Sequence, residues 1–196
     1  KKHGQNGPGV GYFNSWALSV PDDVFENAMG GTKFRAMPSK ILDGYGSTSK
    51  QEDVPVLQFG DETMTASITP QWGGKVWSLK QTKSGKDLIF SNPIHQLIVD
   101  QTLGGNVDGG IEWNYSPGLL GHWAGTQSDV FAARLDTSLG DALRIYAFDR
   151  LNGTTMQVDM LIHNGTLWAH PTLRNPNKHA VKGYWWTNAA ARVRGP

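Results

Sequence analysis

Between Ala142 and Arg174 apolar and polar residues alternate in successive runs, separated by the dipeptides Asn152-Gly153 and Asn164-Gly165. Leu143 and Ile145 alternate with Arg144 and Tyr146. Met156, Val158, Met160 and Ile162 then alternate with Thr155, Gln157, Asp159 and Leu161. Side chains of an extended chain point to opposite faces in turn, so a period of two buries one face and wets the other. Asn-Gly between such runs is the strongest short hairpin signal, because both central residues of a type I′ turn need positive φ. The stretch is expected to be an antiparallel meander whose third strand is Trp168 to Arg174. Glycine at 24 positions and proline at 10 add turns throughout the chain, which favours many short strands over a helical bundle. The expected fold class is mainly β, an antiparallel sandwich.

Other strands carry weaker signals. Met64, Ala66 and Ile68 alternate with Thr63, Thr65, Ser67 and Thr69, and Pro70 ends that run. Gly73-Gly74 bends the chain into Lys75 to Gln81, where Trp77 and Leu79 are expected on one face. Ser84-Gly85 turns into Asp87 to Ser91, and a final strand lies near Gly183 to Ala191. Residues 1–53 show little periodicity and read as a leading or wrapping segment. Within it, Val20-Pro21-Asp22-Asp23 can open a short helix, and Gly44 to Asp53 reads as an exposed loop or linker. Residues 54–196 are expected to be the N-terminal part of a β-sandwich domain.

Several function classes are excluded. A net charge of +1, with Lys and Arg spread along the chain, leaves no electrostatic footprint for nucleic acid. Cysteine is absent, which removes disulfides, thiolate nucleophiles and Cys-type zinc sites. No stretch has the roughly 20 apolar residues of a membrane helix. His3, His95, His122, His163, His170 and His179 show no paired metal-ligand spacing. A Gly-x-Ser-x-Gly elbow and a phosphate loop are missing too, so no metal or cofactor is expected.

Three stretches stand out: Pro70-Gln71-Trp72-Gly73-Gly74-Lys75-Val76-Trp77-Ser78-Leu79; Gly109-Gly110-Ile111-Glu112-Trp113-Asn114-Tyr115 with Gly121-His122 beyond it; and Gly183-Tyr184-Trp185-Trp186-Thr187-Asn188. With Ser84-Gly85-Lys86-Asp87-Leu88-Ile89-Phe90-Ser91-Asn92-Pro93 between the first two, they resemble, in order, the motifs of the DUF5107 family over roughly residues 54–190. Asp108 departs from the Ser that usually precedes the double glycine, and Trp123 from the residues that often follow the histidine. The resemblance implies a galactose mutarotase-like β-supersandwich, related to the aldose 1-epimerases. It further implies that the domain continues beyond the Trp-Trp strand, where the mutarotases carry their glutamate base. A sandwich left incomplete at Pro196 is expected to need further polypeptide, from the same gene or a partner chain, to cover its edges.

The same resemblance implies work on saccharides. Glu112 stands first, on the same side of an extended chain as Gly110 and Asn114. It can act as a general acid beside an indole, accept hydrogen bonds from sugar hydroxyls, or simply be satisfied by turn N–H groups or an arginine. His122 can shuttle a proton or donate to a sugar oxygen, or be a plain loop residue. Trp185 and Trp186 are strand neighbours and must face opposite ways, one toward the core and the other either stacking on a sugar or simply covering the second sheet. Asp108, Asn114, Arg150 and Asn188 are further substrate-binding candidates, although Arg150 can equally pair with Asp149 at the surface. Asn152 and Asn164 head glycosylation sequons on expected turns, in keeping with a secreted, extracellular protein, although Asn-Gly can equally serve the turn and Thr the strand. The expected function is a carbohydrate-active domain of the hydrolase or epimerase kind, or a fragment of one. The competing class is a non-catalytic glycan-binding or assembly module.

Overall fold

The structure is a computed structural model and describes residues 35–42, 49–92, 94–96, 109–116, 129–149 and 152–192. Two sheets face each other. The larger is built from β1 (Arg35–Leu42), β2 (Ser49–Gly60), β3 (Met64–Thr69), β4 (Lys75–Gln81), β5 (Ile94–Gln96), β6 (Ile111–Ser116) and β11 (Tyr184–Ala189), in the order β11-β6-β4-β3-β2-β1-β5. The smaller is the meander β7 (Phe131–Thr137), β8 (Gly140–Asp149), β9 (Thr154–His163) and β10 (Thr166–Arg174). Pairing is antiparallel except between β1 and β5. The chain is thus a two-sheet β-sandwich, as its alternation requires.

The meander follows the expected period-2 pattern: β9 alternates buried and half-buried residues along its whole length. Leu143, Ile145, Met156, Val158, Met160 and Ile162 meet Leu57, Phe59, Ala66, Ile68, Val76 and Trp113 of the large sheet in one core. The two Asn-Gly pairs behave differently. Asn164 and Gly165 both have positive φ (50° and 70°) and close a two-residue turn between His163 and Thr166. The second pair sits in a four-residue connection, since Asp149 pairs with Thr154 and Gly153 alone of the two has positive φ. Asn152 instead donates its amide to Asp149 Oδ2 at 2.7 Å, an alternative local bond that displaces the tighter turn.

The hairpin geometry also places Pro171. Hydrogen-bonded pairs recur at every second residue from the closing pair His163–Thr166, so His170 and Thr172 turn their backbone groups toward β9. Pro171, between them, points its nitrogen away from the sheet. There its missing N–H takes nothing from the ladder and blunts the open edge.

Three local expectations change. The ladder between β3 and β4 shifts at Ser67/Ile68, so that Ile68 pairs with Val76. This extra residue sends Trp77 to the outer face with Val54 and Trp72, while Leu79 stays in the core; the two do not share a face. Ser49 to Asp53 belongs to β2 and pairs with β1, not to a loop. Asp87 to Ser91 makes isolated bridges in place of a strand, with Asp87 accepting from the N–H groups of Leu79 and Ile89. The helix expected at Val20 lies outside the described residues.

Candidate functional site

The motif Gly109-Gly110-Ile111-Glu112-Trp113-Asn114-Tyr115 crosses the large sheet as β6. Both glycines have positive φ (90° and 81°). A Cβ on Gly109 would lie 2.3 Å from Phe90 O, and one on Gly110 would lie 2.7 Å from Val76 O and 3.0 Å from Lys75 Cγ. Glycine is therefore required for β6 to enter so close beside β4.

From there the strand alternates. Ile111, Trp113 and Tyr115 pack toward the core, where the Trp113 indole donates to Gly74 O at 3.0 Å and the Tyr115 hydroxyl lies 2.9 Å from Thr154 Oγ1 on the opposite sheet. Glu112 and Asn114 consequently face outward. On β11, Trp185 packs against the core, so Trp186 and Asn188 share the outer face with them. Register makes the match direct: Asn188 stands opposite Glu112, and Trp186 opposite Asn114. Directly opposed residues lie about 4.5–5.5 Å apart. The structure thus brings four of the expected site residues into one patch and assigns the two tryptophans to the two faces that alternation demands.

A fifth residue joins them without having been signalled by spacing. Lys75, outward-facing on β4, places Nζ 2.8 Å from Glu112 Oε1, with both side chains only 2% exposed. The same ammonium lies 5.7 Å from the centre of the Trp77 ring, within cation–π range. Trp77 in turn meets Trp72 edge-on at 5.2 Å. Glu112 thus has a lysine ammonium beside it, where the sequence reading offered an arginine.

Asn114 is different. It is 1% exposed, and among the described residues neither Oδ1 nor Nδ2 has a hydrogen-bond partner. An amide buried in this state carries a desolvation penalty of about 1–3 kcal/mol, and such groups in folded proteins call for a cause. Exposure increases from Asn114 toward half-buried Trp186 and Asn188 and exposed Tyr184, so the patch opens toward β11, the edge strand among the described residues.

Asp108, His122 and Arg150 lie outside the described residues. Asn152 is half-buried with its amide engaged, whereas Asn164 is exposed at its hairpin tip. Among the described residues no cluster of His, Asp and Glu is arranged to hold a metal ion, and no helix is long and apolar enough to cross a membrane.

A two-sheet antiparallel sandwich with a buried polar row on the outer face of its larger sheet defines the class. The model of the family described as domain of unknown function (DUF5107) matches residues 34–195, and the chain belongs to that family. No curated protein matches it. Among solved structures, a TPR-domain containing protein from Parabacteroides distasonis ATCC 8503 is similar with a TM-score of 0.53 and 19% identity, over 74% of this chain and 28% of that one. The chain therefore spans little more than a quarter of that relative, and the likeness concerns the fold alone.

Proposed function

We propose that this chain is the saccharide-holding part of an extracellular carbohydrate-active domain of the mutarotase-like kind, with the sugar lodged on the row formed by Glu112, Asn114, Trp186 and Asn188. The orphaned amide of Asn114 carries this reading. One acceptor and two donors, buried side by side, match a group that both donates and accepts, and adjacent hydroxyls of a pyranose do so. Asn188 adds a second amide across the ladder, and Trp186 offers an apolar ring for a sugar face. Glu112, held by Lys75, serves as an acceptor anchored in place. Binding is therefore the role these residues support best, and turnover by acid–base chemistry calls on His122 and on further polypeptide. On the secretory reading, Asn164 is the better glycan acceptor.

The test is a titration of the full chain with a broad set of monosaccharides and glycans, followed through the side-chain signals of Asn114 and Trp186 by NMR. Saturable shifts at both residues are expected. A panel that moves neither signal would falsify the reading.

A second reading, assembly through added strands, rests on the sandwich's uncovered side. Ala169, Pro171 and Leu173 of β10 lie on the core-facing side of their strand yet are exposed, Leu173 to 43%. Thr187 and Ala189 on β11 are exposed in the same way. Unlike β10, β11 has no proline to blunt its edge, so added polypeptide is proposed to pair there. Protection of the β11 amides from exchange in a longer protein, absent in this chain alone, is the supporting outcome.

A further inference from the structure

A second polar patch lies on the outer face of the large sheet, at the end where β2 turns into β3. Gly60 stands opposite Thr65, and Thr65 opposite Lys80. Directly opposed residues share a face, and their neighbours Phe59, Ala66 and Leu79 belong to the core, so this row points outward. No side chain can stand at the Gly60 end, since a Cβ there would lie 2.2 Å from Met64 O. The next row is satisfied within itself: Gln58 donates to Ser67 Oγ at 2.9 Å, and Ser78 to Asp87 Oδ2 at 2.5 Å. The Gly60 row is not. Neither the Thr65 hydroxyl nor the Lys80 ammonium has a partner among the described residues.

A cleft of about 590 Å³ opens over this row, within the range of small-molecule sites. Arg134 of β7 forms its other wall. Among the described residues β1 pairs with β2 only as far as Val56, and Arg134 meets β2 beyond that point, where Nη2 donates to Gln58 O at 2.6 Å. That bond anchors the guanidinium without exhausting it. Nη1 lies 3.9 Å from Asp141 Oδ2, too far for a hydrogen bond, and Nε has no partner. The nearby carboxylates are turned onto other donors. Asp61 Oδ1 accepts from the Thr63 N–H and hydroxyl and from the Met64 N–H, and Asp87 Oδ1 accepts from the Leu79 and Ile89 N–H groups. The turn after β4 adds exposed Lys83 and Lys86, against exposed Glu62 on the adjoining hairpin.

We propose that this cleft binds a tetrahedral oxyanion, the phosphate or sulfate group of a small polar ester, between Lys80 and Arg134 and above the Thr65 hydroxyl. The two cations approach from the β4 and the β2 side, two strand spacings or about 10 Å apart at the backbone, a gap that two long side chains span around one ion. A tetrahedral group turns oxygens toward several donors at once, and each bond to a cation is charge-assisted. A flat carboxylate is matched best by the paired fork of an arginine, and here Nη2 is already committed to Gln58 O. The cleft leaves room beside the ion for the organic part of an ester. The site is separate from the row at Glu112 and does not depend on that row taking a saccharide.

The experiment titrates the full chain with glycerol phosphate, glycerol sulfate, inorganic phosphate and uncharged glycerol, followed through the amide signals of Thr65 and Thr82, which line the cleft. Saturable shifts with both esters are expected, weakened by added salt, and none with glycerol. Lys80→Gln is expected to weaken the esters about tenfold, the loss of one bond to a charged group. Lys83→Gln makes the same charge change on the neighbouring turn and should leave their affinity nearly as it was. Lys80 is exposed and unpartnered among the described residues, so its replacement leaves the fold intact. Equal affinity for inorganic phosphate and its ester supports the site and assigns it to the free ion. No saturable shift with any anion, equal shifts with glycerol, or a loss in K83Q as large as in K80Q overturns the proposal. The saccharide reading is judged separately, at the signals of Asn114 and Trp186.

Discussion

Replacing Asn114 by leucine should make the protein more stable and abolish saccharide binding. Asn114 is 1% exposed, and its two amide heteroatoms have no hydrogen-bond partner among the described residues. Folding therefore strips water from both groups and returns nothing. Leucine has nearly the same volume and no polar atoms, so the substitution removes a penalty of about 1–3 kcal/mol. Burial of the new methyl groups adds a gain on the order of 1 kcal/mol, partly offset by the change from planar to branched shape. For a chain of this size each kcal/mol moves the melting temperature by roughly 2–4 °C, so a rise of several degrees is expected. Urea denaturation gives the free energy, and the m-value should not change, since the surface exposed on unfolding is the same. Loss of stability on the scale of 1 kcal/mol or more would refute the reasoning, because it would mean that the native amide is satisfied. A rise in stability with binding intact would keep the energetics and remove the functional role.

Three other outcomes follow from the same structure. Lys75→Met removes the ammonium that lies 2.8 Å from buried Glu112 and should cost about 3–5 kcal/mol, most of it recovered in Lys75→Met with Glu112→Gln; urea midpoints decide, and a loss below about 1 kcal/mol, the level of a surface pair, contradicts the burial. Pro171→Val restores an outward N–H on the edge of β10 and should produce concentration-dependent association in analytical ultracentrifugation; a strictly monomeric variant argues against edge protection. Stability should fall at both ends of the pH range. Hydrogen bonding, chiefly from the Thr63 hydroxyl, holds Asp61 below its ordinary 3.8, so its contribution is complete above that value and is lost as pH falls through the lower folded value. Burial pushes Tyr146 up to about 12 against an opposing effect of Arg144, so its contribution is complete below pH 10.0, its ordinary value, and is lost as pH rises toward 12. Asp61→Asn and Tyr146→Phe should each flatten one limb of the profile, and an unchanged limb removes the assignment.

Much of the sandwich is legible in the sequence because β9 buries a single face with an unbroken period of two, although in β8 Ala142 and Tyr146 are buried beside Leu143 and Ile145. The opposite faces of Trp185 and Trp186 follow from the same rule, as does the shared face of Glu112 and Asn114. Legibility fails where a strand buries both faces or slips. Ser67 and Thr69 are buried alongside Ile68, so β3 hides the polarity contrast that alternation depends on. The irregularity opposite Trp77 inverts the parity of β4 partway along, and no residue type announces it. Lys75 escapes notice for a related reason: a lysine next to Gly-Gly reads as a solvated residue, and only the pairing of β4 with β6 carries it to Glu112. The β11–β6 register is a long-range property too, so the meeting of Asn188 with Glu112 cannot be read from either segment alone.

The single ladder step by which β6 joins β4, Val76 opposite Ile111, has a kinetic consequence. The meander closes through neighbours in sequence and resembles a chain of local hairpins, a low contact-order unit that forms early. By contrast, β6 and β11 are separated by some seventy residues of sequence and meet in a full ladder with each other, and they reach the rest through Val76–Ile111, the Ser91–Gly109 and Ile89–Ala191 bridges and the Trp113 indole. A pair joined across so long a loop closes after the local hairpins have formed. Glu112, Asn114, Trp186 and Asn188 all ride on that pair, so a ligand spanning them staples the last-formed part of the sheet. Hydrogen exchange at β6 and β11 should slow on binding while exchange in the meander stays as it was.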